Sequence, residues 1–146
     1  MAGPGIKFEL LFEAGALERV RSGRRLLDAV LGRLLENALR FTQSGSIRLG
    51  VRVRVGSSFQ ICVEDTGCGI SRGRLRTLFE PFGCTQVESG RSYGGSGLGL
   101  ALARRRVRLV GGWIGAERES GRGTAFCLDL PVIADASADL AAGARA

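Results

Sequence analysis

The sequence predicts an α+β fold: a two-layer sandwich in which a mixed sheet is covered on one face by helices. Two segments carry apolar residues at helical spacing, and the segments between and after them alternate apolar with polar residues as half-buried strands do. Taken in order, "IKFELLFE" can form a first strand. From Arg24 to Phe41 a helix is indicated by Leu27, Val30, Leu31, Leu34, Leu35 and Ala38. "IRLGVRVRV" then sets Ile47, Leu49, Val51, Val53 and Val55 against Arg48, Arg52 and Arg54, and "FQICVED" alternates Phe59, Ile61 and Val63; the linking "GSS" suits a hairpin turn. Ser71 can cap a short helix ending near Phe79. The stretch from Gly83 to Ser96 is polar, glycine-rich and without period, and reads as a mobile loop. A second long helix spans roughly Leu98 to Val110 and is stopped by Gly111 and Gly112, after which "WIGAERE", "SGRG" and "TAFCLDLP" make a closing hairpin. Residues 133–146 form an alanine-rich tail or linker, leaving 1–132 as the folded domain.

Composition narrows the class. At 146 residues, 45% hydrophobic and 24% charged, the chain suits one domain with a real core. It carries neither a membrane-length apolar run nor a signal-type start, and is expected to be cytoplasmic in character, without membrane contact. Cys62, Cys68, Cys84 and Cys127 show no C-x-x-C spacing, and with no histidine a zinc site would need all four. Reduced structural thiols are expected. Of 21 basic residues only Lys7 is a lysine, and the formal charge is +7. Such a balance suits phosphate ligands, anionic lipid or nucleic acid, or simply an arginine-rich solvated surface. A nucleic-acid module resting on "RRRVR" (104–108) lacks interleaved surface aromatics and a reading-helix motif, so no nucleic-acid partner is expected.

The segment "YGGSGLGL" (93–100) leads directly into the second long helix. A helix N-terminus exposes amide N–H groups and partial positive charge, and glycines let the backbone approach an anion closely. The chain has no G-x-x-x-x-G-K-[ST], and no strand runs into Gly94 as a dinucleotide fold requires. Alone, the cluster fits a hinge as well as a phosphate site.

Its company decides between them. "LLENALRFT" (34–42), "DTGCGI" (65–70), "LFEPFG" (78–83), "GGSGLGLALA" (94–103) and "GRGTAFCLDLP" (121–131) occur in this order. Together they resemble the ATP-binding catalytic domain of sensor histidine kinases, a branch of the GHKL ATPase and kinase superfamily with the Bergerat-type fold. The resemblance covers roughly residues 5–132, and the stretch "EPFGCTQVESGRSYGGSGLGL" is most similar to hybrid histidine kinases. It implies ATP and Mg²⁺ as ligands. The expected partners are a histidine-containing dimerisation domain and a downstream response regulator or receiver domain, with the isolated domain a monomer.

Residue by residue, the resemblance makes Asn37 the Mg²⁺ ligand, in keeping with the preference of Mg²⁺ for oxygen donors. Arg40, three residues on along the same flank, meets a phosphate, and Phe41 lies beside the adenine. Asp65 reads the adenine amino group, since a carboxylate there accepts from an amine but opposes the carbonyl oxygen of guanine. Gly67 and Gly69 let the following turn curl around the base, with Ile70 beside them. Phe82 and Phe79 match a phenylalanine box, which core packing explains equally well. Arg91 and Tyr93 match lid positions, the arginine reaching the γ-phosphate. Gly95, Gly97, Leu98, Gly99 and Leu100 line the phosphate side. Thr124 belongs with Gly121 and Gly123 to the last glycine box, which also suits a hairpin turn. Asn37, Arg40 and Arg91 are the expected catalytic set.

Two departures stand out. Four residues before Asn37 these kinases usually carry a second asparagine, and the related ATPases a glutamate that activates water; this chain has Arg33. A cation cannot be a general base, and Glu36 lies about 100° around the helix from Asn37. This argues against a stand-alone ATPase of the gyrase, Hsp90 or mismatch-repair type, and keeps open a degenerate domain that binds nucleotide or a partner without transfer. The chain also has no histidine, so it lacks the phosphoacceptor.

If the glycines serve backbone approach to phosphate, Gly97→Ala weakens ATP through a methyl obstruction while sparing adenosine. Calorimetric titration with both ligands checks this. Equal weakening of the two in a folded variant would make the segment a hinge.

Overall fold

The computed structural model describes residues 5–13, 24–54, 58–82, 98–118 and 123–131. The hairpin link at 55–57, the loop at 83–97, Gly121 and the tail at 133–146 lie outside them.

Five strands form one mixed sheet: β1 (Ile6–Phe12), β2 (Gly45–Arg54), β3 (Ser58–Asp65), β4 (Trp113–Arg118) and β5 (Thr124–Pro131). Their spatial order is β1-β2-β3-β5-β4, with β1 parallel to β2 and every other pair antiparallel. The parallel pair follows from connectivity: helix α1 (Arg24–Phe41) stands between β1 and β2 and carries the chain back to the starting end. Two further helices are α2 (Arg72–Thr77) and α3 (Gly99–Leu109).

The apolar periods meet in one core. Val30, Leu34 and Ala38 of α1 and Leu100, Ala103 and Val107 of α3 pack against Ile47, Val51, Phe59, Ile61, Val63, Ile114, Phe126, Leu128 and Leu130 of the sheet. Leu34, Phe59, Leu128 and Leu130 are fully buried, and each side chain of this kind contributes about 1.5–3 kcal/mol relative to exposure. The predicted helix at 24–41 is α1 itself. Ser71 caps α2, its hydroxyl accepting from the Arg74 N–H at 3.3 Å, and the helix ends at Thr77, two residues short of expectation, as Leu78 turns into the core. At the end of α3 the Gly111 N–H bonds the Arg108 carbonyl at 3.0 Å and the Gly112 N–H bonds the Val107 carbonyl at 2.9 Å. This is a Schellman stop with Gly111 at φ +79°.

The opposite face of the sheet is polar. Across three strands, Arg48 donates to Glu9 at 3.1 Å and to Glu64 at 3.3 Å, in the register Glu9↔Arg48↔Glu64. Arg54 pairs with Asp129 at 3.6 Å.

The expectation of reduced thiols fails on this face. Cys62 and Cys127 stand directly opposite each other on β3 and β5, with Cα atoms 4.1 Å apart, and form a disulfide. They are 65 residues apart in sequence, so only the strand pairing brings them together. Cys68 is a free, exposed thiol. Alkylation of unfolded, unreduced protein is expected to label Cys68 and leave Cys62 and Cys127 unlabelled, with a cross-linked peptide in the digest. Labelling of both without reductant would show free thiols.

Candidate nucleotide-binding site

The site grows from the carboxyl end of β3. Asp65 ends that strand between Ile47 of β2 and Thr124 of β5, and is 5% exposed. Its Oδ1 accepts the Gly67 N–H at 2.9 Å. Burial pushes the Asp65 carboxyl above the ordinary carboxylate range; the N–H groups of Gly67 and Thr124, which favour the ionised form, offset this only in part.

Three backbone segments converge around this carboxylate. A Cβ on Gly67 would run into the Phe41 carbonyl oxygen at the end of α1, and that same oxygen accepts the Cys68 N–H at 3.3 Å. A Cβ on Gly123 would overlap the Asp65 carbonyl, so the entry to β5 touches the exit of β3. The Cβ position of Gly69 lies 3.3 Å from the Gly123 carbonyl. Gly67 thus admits the end of α1, a reason for glycine there beyond the expected turn around a base. Gly123, read as equally a hairpin glycine, is required by the contact with β3. The turn is also tied to β2, the Ser46 N–H donating to Thr66 Oγ1 at 2.9 Å and the Thr66 N–H to the Ser46 carbonyl at 3.1 Å.

Asp65, Gly67, Gly69, Thr124 and Phe41 therefore come together at one end of the sheet. Asn37 is half-buried one turn before Phe41 on the same flank of α1, and Arg40 is exposed beside it. Ile70 packs against the core edge. Gly99 opens α3 next to α1, with Leu98 exposed in front of it. Leu100 is 4% exposed and anchors α3 in the core. The two phenylalanines separate: Phe79 packs edge-on against Phe126 with ring centroids 6.2 Å apart, whereas Phe82 is 59% exposed with φ 63°. Core packing accounts for Phe79 alone. Arg91, Tyr93, Gly95 and Gly97 lie outside the described residues.

Sequence reasoning missed Thr42. It is 3% exposed, and its Oγ1, 3.0 Å from the Cβ position of Gly67, has no hydrogen-bond partner among the described residues. A buried hydroxyl without a partner is unfavourable, and here it lies beside the turn after Asp65. Its signal was its place at the end of the "LLENALRFT" box.

Among the described residues no group of three or more His, Cys, Asp or Glu side chains could hold a metal ion. A single half-buried amide oxygen, that of Asn37, fits Mg²⁺ only as an ion arriving with phosphate oxygens and water as its other ligands.

Comparison with known proteins places this geometry in a class. Residues 23–134 match the family described as histidine kinase-, DNA gyrase B-, and HSP90-like ATPases, and the chain belongs to that family. Within it, the relatives are sensor histidine kinases. The chain is 39% identical over 116 residues to the autoinducer 2 sensor kinase/phosphatase LuxQ of Vibrio cholerae, which covers 77% of the chain and 14% of LuxQ. The catalytic domain of histidine kinase ThkA superposes with a TM-score of 0.72 at 26% identity, covering 87% of this chain and 80% of that one. Full-length ShkA in complex with AMPPNP gives 0.68 at 26% identity, covering 90% of this chain and 27% of ShkA. The chain thus spans a small part of the full-length kinases it matches and about four-fifths of an isolated catalytic domain. No helix among the described residues is long and apolar enough to cross a membrane.

The raised Asp65 pKa carries a stability consequence. A carboxyl whose folded pKa is raised stabilises the fold most below its unfolded pKa of about 3.9, and that contribution is lost as pH rises through the folded value. In ligand-free protein, the stability of wild type relative to Asp65→Asn is therefore expected to fall as pH rises from below 4 towards neutrality. Thermal melts across that range check the sign; a constant difference would place the carboxylate in solvent.

Proposed function

We propose that the chain binds Mg·ATP and supplies the γ-phosphate for phosphorylation of a histidine on a separate dimerisation domain in two-component signalling, with residues 1–132 as the catalytic domain. The observation that carries this reading is the buried Asp65 carboxylate at the carboxyl end of β3, framed by the Gly67 and Thr124 N–H groups and by glycine contacts. A buried carboxylate of this kind is an acceptor held ready for an exocyclic amine, and adenine presents one. The AMPPNP complex of ShkA, a relative in fold and sequence, supports an adenine nucleotide as the ligand.

In this reading Asp65 orients the base, Phe41 stands beside it, and the glycine contacts hold the carboxylate in place. Arg40, and Arg91 of the lid, meet phosphate charge, and Asn37 offers its amide oxygen to Mg²⁺, which when bound would neutralise charge on the phosphates. A histidine nitrogen of the docked partner attacks the γ-phosphorus in line as the bond to the ADP oxygen breaks. The chain contributes positioning and charge. Having no histidine, it takes its acceptor from the dimerisation domain, and a response regulator or receiver domain takes the phosphoryl group onward. Arg33, in the place of the usual asparagine, is the observation favouring a second reading, a domain that binds nucleotide without transfer.

With labelled ATP the chain alone is expected to stay unlabelled and release little phosphate, while a matched helical hairpin added in trans becomes labelled on histidine. Asp65→Asn should weaken ATP binding by roughly 1–3 kcal/mol, the range for a buried hydrogen bond to a charged group. ATP binding without labelling of a proven partner would favour the second reading. Steady hydrolysis by the chain alone, or unchanged ATP affinity in folded Asp65→Asn, would count against the proposal.

A further inference from the structure

The Cys62–Cys127 bridge sits in the middle of the open face of the sheet, at one level of all five strands. The register at that level runs Leu11↔Gly50, Gly50↔Cys62, Cys62↔Cys127 and Gly115↔Cys127, so a glycine stands beside each half of the bridge. Both cysteines are partly exposed. The bridge therefore lies on an accessible surface of the folded chain and not in its core, and access is one of the conditions that decide whether a disulfide exchanges.

The two glycines differ in what lies over them. A Cβ on Gly115 would run into Cζ2 and Cη2 of Trp113, so the indole, two residues back along β4, covers Gly115 and buries it. A Cβ on Gly50 would find nothing nearer than the Leu11 carbonyl oxygen at 4.0 Å. There the face opens into a trough of about 380 Å³, lined in part by Leu11, Arg48, Gly50, Arg52, Cys62 and Glu64. That volume falls among small-molecule sites. Exchange is a displacement, in which a thiolate attacks one sulfur from the side opposite the sulfur that leaves. On the β4 side the indole of Trp113 obstructs the way to Cys127, whereas on the β2 side the trough leads to Cys62.

We propose that the Cys62–Cys127 bridge is a thiol–disulfide exchange site for a low-molecular-weight thiol, which enters the trough over Gly50 and attacks Cys62 while Trp113 shields Cys127. The incoming thiolate sulfur bonds to Cys62 Sγ as the bond between the two Sγ atoms breaks, and Cys127 leaves as a thiolate that takes a proton from water. A second small thiol then attacks the small-molecule sulfur of the mixed disulfide, leaving Cys62 as a thiol and the two small thiols joined as their own disulfide. The protein bridge gains the two electrons that the small thiols lose. Nothing in this depends on the ATP reading, although the exchange acts on the two strands that carry Asp65 and Thr124.

The test uses the full chain under native conditions, with its free thiols first blocked by iodoacetamide and reduced glutathione then added as the small thiol. Samples are quenched in acid at intervals and mapped by peptide mass spectrometry. Early samples are expected to carry glutathione on Cys62 and a free thiol at Cys127. Gly50→Val fills the trough with a residue that suits a strand, and should slow loss of the bridge by about tenfold or more. Trp113→Ala should keep the reaction at Cys62 and add glutathione on Cys127. Thermal melts confirm that both variants fold, and the position of glutathione in the unaltered chain decides if either does not. Glutathione on Cys127, or on both cysteines equally, in the unaltered chain would overturn the proposal. So would equal rates for the unaltered chain and folded Gly50→Val, which would place the exchange in an unfolded form. A native bridge inert to glutathione, or blocking of Cys62 and Cys127 by iodoacetamide in the first step, would overturn it as well.

Discussion

Backbone meets backbone at the carboxyl end of β3, and the rest of the site depends on that contact. Gly67 lies against the Phe41 carbonyl and Gly123 against the Asp65 carbonyl, with no room for a Cβ at either place. These two contacts join the end of α1, the exit of β3 and the entry to β5. They fix where α1 stops, and with it the height of Asn37 and Arg40 over the sheet. They also agree with the register that pairs Asp65 with Thr124, bringing both N–H groups to the carboxylate. A side chain at Gly67 or Gly123 would push apart the elements that hold the polar group, so the glycines act on chemistry through geometry.

The two faces of the sheet divide the work. On the helix face, apolar residues of α1 and α3 fill the core and leave their polar flanks converging over the end of β3. On the other face, charge is matched within the sheet: Arg48 spans Glu9 and Glu64, Arg54 meets Asp129, and the Cys62–Cys127 bridge ties β3 to β5. Lys7 and Arg48 beside Glu9 hold its carboxyl below the ordinary range, Arg48 being the stronger influence. Much of the acidic complement of the described strands is thus engaged away from the site. On the flank of α1 nearest the site stand Arg33, which lies against Gly99 at the start of α3, and Arg40, and the first turn of α3 holds no acidic residue.

What the sequence made legible follows from the range of each interaction. The helix at 24–41 and the strand alternations are local patterns, and they reappear with little change as α1 and the strands. Ser71 as a cap and Gly111 and Gly112 as a stop are also local, and the structure supplies the hydrogen bonds that make them so. Hidden from the sequence were contacts between distant segments: the parallel pairing of β1 with β2, the disulfide across 65 residues, the role of Gly67 against α1, and Arg33 against Gly99. Thr42 and Phe82 show the same limit in single residues. Nothing in a threonine after a helix says its hydroxyl is buried without a partner, and nothing in "EPFG" separates the packed Phe79 from the exposed Phe82. The ordered boxes named the candidate residues; how Asp65, Gly67, Gly69, Thr124 and Phe41 meet at one end of the sheet needed the fold.

On the reading proposed above, the ligand-free site is incomplete in two places, and the two deficits have opposite sign. At the end of β3 a carboxylate is buried at the expense of its ionised form, beside a hydroxyl without a partner among the described residues. At the start of α3 the Arg33 guanidinium lies against Gly99, in a first turn that holds no acidic residue. An adenosine polyphosphate has the complementary polarity, an amine donor on the base and negative charge at the other end, and offsets both deficits in one molecule. Adenosine offsets only the first, and inorganic phosphate only the second. Guanine would set an acceptor oxygen against the carboxylate. A fold selected for stability alone would neutralise each deficit internally, with an asparagine at 65 or an acidic residue in the first turn of α3. Leaving both open lowers the stability of the free domain and raises the share of binding free energy that depends on the right ligand filling both ends at once.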